Sequence, residues 1–264
     1  MKKYILKKSE SDIKYLFINV DNKVDRLNYL KKNLKYLFEN NLINRISGKK
    51  SIDLHDNIIY NNILCKYNIN IDSNRKLLIG ELGCVISHIK CVLTALKNNY
   101  KYTVILEDDV IPICEDYHNK IKNIIINAPK DWSIIQIINM NPSIIYFLKK
   151  SNKLYNNKLC NCKKDCICII NALWGASAYI INQKYCKLFL ETYYDKKNNI
   201  FDFTNNKYFL SDCILYHNEN KIHTGYYQYK YSPFLINDNI KSTIVNYHEN
   251  MNKQYNDHYK KQLL

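Results

Sequence analysis

Residues 102–106 read Tyr-Thr-Val-Ile-Leu and run without a break into three carboxylates, Glu107-Asp108-Asp109. A compact apolar run of this length fits a buried strand. The carboxylates then fall at its C-terminal end, which is where open α/β sheets bind their ligands. The opening of the chain has the same character. Residues 15–20 form another apolar run closed by Asp21-Asn22, and Leu27, Leu30, Leu34, Leu37 and Phe38 follow at helical spacing. A strand feeding an amphipathic helix is the first unit of an α/β fold.

The rest of the chain extends this pattern. Residues 42–46 predict a second strand stopped at Ser47-Gly48. From Gly80, the apolar positions Leu82, Val85, Ile86, Ile89, Val92, Leu93 and Leu96 mark one helix face ending near Asn98-Asn99. Residues 121–126 predict a helix broken by Pro129, residues 132–138 a buried strand, and residues 177–181 another strand. Asn182 suits the N-cap of a helix through Leu190. Residues 212–217 predict a helix, and 226–231 a tyrosine-rich strand halted by Pro233. Residues 51–78, rich in Asn and Asp, carry no assignment, and residues 139–171 read as an excursion from a single domain spanning 1–264.

Composition narrows the partners. The net charge of +15 comes from 39 Lys plus Arg against 24 Asp plus Glu, an excess that raises nucleic acid, anionic membrane or an acidic ligand. The lysines lie in short pairs such as Lys2-Lys3, Lys31-Lys32 and Lys260-Lys261, without a polybasic run. That distribution describes a solvated surface, and no specific nucleic-acid partner is expected. No stretch of about 20 apolar residues occurs, and the opening MKKYILKKSESD has too short an apolar segment for a signal peptide or membrane anchor. The expected location is cytoplasmic or peripheral to a membrane.

The ten cysteines divide into two groups. Cys65, Cys84, Cys91, Cys114, Cys186 and Cys213 are scattered and read as small buried hydrophobes. Cys160, Cys162, Cys166 and Cys168 are clustered without the CxxC spacing common in structural zinc sites. They read either as a zinc or disulfide staple or as reduced thiols in a loop.

Glu107 and Asp109 stand one residue apart, so an extended backbone points both to one side. Such a pair, completed by phosphate oxygens and water, suits Mn2+ or Mg2+. Carboxylates after a strand also serve simply as turn formers, so the surrounding blocks decide between the two readings.

Those blocks are ordered along the chain. Phe17-Ile18-Asn19-Val20-Asp21 with Asp25-Arg26 is similar to an "INLD...DR" opening, and residues 80–88, GELGCVISH, to a "GEIGCxLSH" helix. VILEDDV at 104–110 is similar to "LILEDDV", and residues 174–181, WGASAYII, to "GTxAYLIS". Asp212-Cys213-Ile214-Leu215 is similar to "DxxL", and Tyr231-Ser232-Pro233-Phe234-Leu235-Ile236 with Ser242-Thr243-Ile244 to a closing "PPL...S-I" segment. Together they resemble glycosyltransferase family 25, which includes bacterial lipooligosaccharide galactosyl- and glucosyltransferases and collagen galactosyltransferases. Two departures stand out: Ile46-Ser47-Gly48 replaces the usual VDG, and Ile89-Lys90-Cys91 follows the Ser-His pair where an aromatic is common.

The resemblance implies a GT-A type, Rossmann-like nucleotide-binding sheet flanked by helices. It also implies an inverting transfer of galactose or glucose from a UDP-sugar to a hydroxyl of a glycan or polypeptide. Carried over by residue, Glu107 and Asp109 become the metal and diphosphate carboxylates, and Asp108 contacts ribose or sugar. Arg26 meets the uracil or phosphate end of the donor, or is an ordinary surface Arg opening a helix; Ser87 and His88 contact the donor or hold structure. Asp212 becomes the base that takes the acceptor proton, or else a helix cap. Apart from the resemblance, His217, His223 and His248 are candidates for a further metal ligand, since neutral imidazole suits Mn, or are ordinary surface residues. A non-catalytic nucleotide- or glycan-binding domain of the same fold is the alternative, against which the intact carboxylate triplet argues.

Overall fold

The structure is a computed structural model that describes residues 12–48, 79–128, 130, 132–138, 140, 166–168, 175–204, 209–216, 226–229, 232–237, 253, 256 and 257. Its centre is a seven-stranded sheet in the order β2-β1-β3-β7-β5-β10-β6. The strands are β1 (Ile13–Val20), β2 (Ile43–Gly48), β3 (Tyr102–Glu107), β5 (Ile134–Gln136), β6 (Cys166–Cys168), β7 (Ala178–Asn182) and β10 (Tyr226–Tyr229). β1 runs parallel to both β2 and β3, whereas β7 lies antiparallel between β3 and β5. The fold is a mixed α/β sheet flanked by helices, consistent with the GT-A type. The apolar runs reveal buried strands but not their direction, so the reversal at β7 was not readable from them.

Alternating strand residues feed cores on opposite faces of the sheet. Tyr15, Phe17, Val104 and Leu106 pack with Leu30 of α1 (Val24–Asn33), Leu37 of α2 (Lys35–Glu39) and Ile121 and Ile124 of α4 (Tyr117–Asn127). Leu16, Ile18, Ile105, Tyr179 and Ile181 pack on the other face. Their partners are Val85, Ile89 and Val92 of α3 (Ile79–Lys97), Tyr185 and Phe189 of α5 (Gln183–Tyr193), and Ile214 of α6 (Ser211–Tyr216). The single helix expected over 27–38 is divided at Leu34, whose φ of −107° and ψ of 28° leave the helical region. As expected, Asn182 caps α5: its side chain accepts from the Tyr185 N–H at 2.9 Å.

Two short antiparallel pairings lie outside this sheet. β8 (Tyr194–Asp195) pairs with β9 (Ile200–Phe201), and β4 (Val110–Pro112) pairs antiparallel with β11 (Phe234–Ile236). The second pairing matters to the carboxylates, because the Asn237 N–H donates to the Asp109 C=O at 2.7 Å just beyond it. On the other flank the Glu107 N–H donates to the Ser177 C=O at 2.9 Å. The acidic turn is thus fixed by backbone on both sides. Residues 166–168, placed by sequence in the excursion, form the edge strand β6 against β10; Cys65, Cys160 and Cys162 lie outside the described residues. Among the described residues, no helix is long and apolar enough to cross a membrane.

Candidate active site

Because side chains alternate along β3, Glu107 follows Ile105 onto the α3 face and Asp108 turns to the other. Asp108 is held there by two partners. Arg26 Nη1, at the start of α1, donates to Oδ1 at 2.8 Å, and Asn19 Nδ2, near the end of β1, donates to Oδ2 at 2.8 Å. The Arg26 and Asp108 side chains are only 11% and 9% exposed, so this ion pair is largely shielded from water. Burial pushes the Asp108 carboxyl above its usual range, and Arg26 and Asn19 pull against that shift. Asn19 extends the network outward: Arg45 Nε donates to its Oδ1, and Arg45 and Ser47 both donate to Asp21.

Glu107 meets a different set. Its Oε2 accepts from the Ser177 hydroxyl at 2.7 Å, while Oε1 lies 3.3 Å from His88 Nε2 and 3.4 Å from Cys84 Sγ. His88 is fully buried, and its Nδ1 is 2.8 Å from the Tyr179 hydroxyl. Burial by itself raises a carboxylic acid, but the hydrogen bond and charge of His88 outweigh it, with help from Ser177 and Cys84, and hold Glu107 below the usual range. Burial and the Glu107 charge push the Cys84 thiol well above its usual range.

Asp109 has the least support of the three. Its Oδ1 is buried and has no hydrogen-bond partner among the described residues. Burial and then the charges of Glu107 and Asp108 push its carboxyl far above the normal aspartate range. A buried carboxylate oxygen left without a donor beside two other carboxylates is a place where a cation would relieve both burial and repulsion. Cys84, His88 and Glu107, whose donor atoms lie within 4.8 Å of one another, are a second set able to hold a metal ion.

Residues 12–207 match the family described as glycosyltransferase family 25 (LPS biosynthesis protein). The chain belongs to glycosyltransferase family 25. Membership makes it a glycosyltransferase, with a sugar donor and an acceptor. Among solved structures it is similar to the one titled "Crystal Structure of A197 from STIV", at 9% identity and a TM-score of 0.39, over 84% of this chain and 83% of that one. No curated protein matches.

The family match takes in the carboxylate triplet, Arg26, Ser87 and His88, and ends before Asp212. The fold nevertheless brings Asp212 into the neighbourhood. Cys84 Sγ lies 3.5 Å from the hydroxyl of Ser211, and Asp212 Oδ2 accepts from the Gly175 N–H at 3.1 Å. Asp212 Oδ1 accepts from the Cys213 N–H, so the residue also shapes the start of α6. Ser87 is not drawn to the carboxylates: its hydroxyl donates to the Gly83 C=O one turn back in α3, at 2.7 Å. His217, His223, His248 and Trp174 lie outside the described residues.

Sequence reasoning missed several residues that surround the carboxylates. Cys84 was read as a small buried hydrophobe, yet it is half-buried and touches both Glu107 and Ser211; Cys91 and Cys186 do fit that reading. The available signal was the four-residue spacing of Cys84 and His88, which places both on one helical face. Asn19 and Ser177 join through strand pairing across β1-β3-β7, a relation with no local signature.

Proposed function

We propose that this family 25 enzyme moves galactose or glucose from a UDP-sugar to a hydroxyl of a glycan or polypeptide, with inversion at the anomeric carbon. Support for a cation-assisted nucleotide-sugar site comes from Oδ1 of Asp109, buried beside Glu107 at the C-terminal end of β3 and without a partner among the described residues. Glu107 and Asp109 would hold Mn2+ or Mg2+, which when bound offsets the negative charge gathering on the departing diphosphate.

The chain's own residues account for the remaining steps. Arg26 and Asp108, locked together between α1 and the turn after β3, form a rigid polar wall for the ribose and phosphate end of the donor. His88 and Ser177 fix the orientation of Glu107. Asp212 takes the proton of the acceptor hydroxyl as that oxygen attacks the anomeric carbon, on the face opposite the breaking bond to UDP. The products are the glycosylated acceptor and UDP.

Release of UDP is the direct readout, measured across a panel of UDP-sugars with and without manganese. Turnover of UDP-galactose or UDP-glucose that needs the metal, and is lost by at least about 100-fold in a Glu107→Ala, Asp109→Ala variant, is the expected result. Binding of every donor without any turnover would leave a nucleotide-binding domain in place of the enzyme. Full activity in the double variant would remove the cation from these carboxylates.

A further inference from the structure

Cys84 and His88 stand four residues apart in α3, so their side chains leave the same helical face one turn apart. That face meets the end of β3, where Glu107 Oε1 lies 3.4 Å from Cys84 Sγ and 3.3 Å from His88 Nε2. A tetrahedral zinc site has a metal–sulfur bond of about 2.3 Å and bonds to nitrogen and oxygen of about 2.0–2.1 Å, which sets ligand–ligand edges of about 3.3–3.6 Å. The sulfur–oxygen and nitrogen–oxygen edges therefore already have the lengths a bound ion imposes. The remaining edge falls within the 4.8 Å that spans all three donor atoms.

The atoms not facing this point are held from behind. His88 Nδ1 is paired with the Tyr179 hydroxyl at 2.8 Å, and Glu107 Oε2 accepts from Ser177 at 2.7 Å. Partners of this kind fix the tautomer and ring orientation of a ligating histidine and aim a ligating carboxylate. A purely hydrogen-bonding role explains Cys84 poorly. Glu107 already has His88 and Ser177, and a thiol is a weak donor. As a ligand the same sulfur is decisive, because thiolate and imidazole together select zinc-class ions over magnesium.

We infer that Cys84, His88 and Glu107 form a site for a thiophilic divalent cation of the zinc class, with a fourth position left for water or a phosphate oxygen. As the sulfur–metal bond forms, the Cys84 thiol proton passes to solvent. His88 likewise gives up to solvent the Nε2 proton that it donates to Glu107 in the metal-free protein, and keeps Nδ1–H as the donor to Tyr179. The inference rests on the proposed function only in placing a cation at Glu107; the ligand set and the metal differ.

Cobalt titration of the full-length, metal-stripped protein tests this without any donor present. The background is a Cys160→Ser, Cys162→Ser, Cys166→Ser, Cys168→Ser variant, which removes the other dense thiol cluster. A sulfur-to-cobalt charge-transfer band is expected at one ion per chain, displaced by zinc and abolished by adding Cys84→Ser. Zinc should also raise the melting temperature of the background variant and not that of the Cys84→Ser form, whose own unfolding transition shows that it is folded. Absence of the band in the background variant, or its survival after Cys84→Ser, overturns the inference. Manganese-dependent transfer with no cobalt band would refute it while sparing the transferase reading, and a Cys84-dependent band without turnover of any UDP-sugar would do the reverse.

Discussion

Replacing Arg26 by methionine keeps most of the aliphatic bulk of the side chain and deletes its charge, leaving Asp108 with Asn19 as its remaining donor among the described residues. At 11% and 9% exposure the pair sits where water cannot take over the lost role. Breaking a buried ion pair from one side costs about 3–5 kcal/mol, mainly because the remaining charge is stranded. The surviving Asn19 bond at 2.8 Å places this site at the lower end, about 3 kcal/mol. For a chain of this size each kcal/mol moves the melting temperature by about 2–4 °C, so a fall of about 6–12 °C is expected. Adding Asp108→Asn removes the stranded charge, and the double variant should recover at least half of the loss. Urea unfolding followed by circular dichroism gives all four corners of the double-mutant cycle. A loss below about 1 kcal/mol for Arg26→Met, or no recovery in the double variant, would refute the claim that this pair is buried and mutually dependent.

Three further outcomes follow from geometry. Gly175 has φ of +88° and an added Cβ would lie 2.7 Å from Met140 Cγ, so Gly175→Ala should lose about 1–3 kcal/mol in chemical unfolding. Asn182→Ala removes both the α5 cap and the bond from Nδ2 to the Trp132 C=O at 2.6 Å, for an expected loss of about 1–2 kcal/mol by the same measurement. In metal-free protein, Asp109 has a folded-state pKa raised by burial and its carboxylate neighbours. Its contribution to stability is full below the ordinary aspartate range and is lost as pH rises through the higher folded value. Asp109→Asn should flatten that decline in thermal melts across pH with chelator present, and an unchanged slope would contradict the assignment.

Much of the frame was legible because it is written locally. The apolar runs in β1 and β3, the stripe from Leu82 to Leu96 in α3, and Asn182 at the head of α5 each carry their own signal in a few adjacent residues. What escaped depends on partners distant in sequence. Nothing in the residues of β7 says that it runs antiparallel between β3 and β5. The split of the first helix at Leu34 leaves the leucine spacing intact, so periodicity could not show it. The triplet was found as a unit, yet its three carboxylates live in different surroundings. Asp108 is ion-paired to Arg26, Glu107 is wrapped by His88, Cys84 and Ser177, and Asp109 keeps an unpartnered oxygen among the described residues.

The backbone ties on either side of the acidic turn also set the order in which the protein can be made. Ser177 and Asn237, which grip residues 107 and 109, are synthesised long after the turn itself has left the ribosome. Joining such distant segments is slow relative to forming helices such as α3. A nascent chain therefore carries its carboxylates for much of translation without the geometry that makes them useful, and that geometry arrives only when β11 docks onto β4.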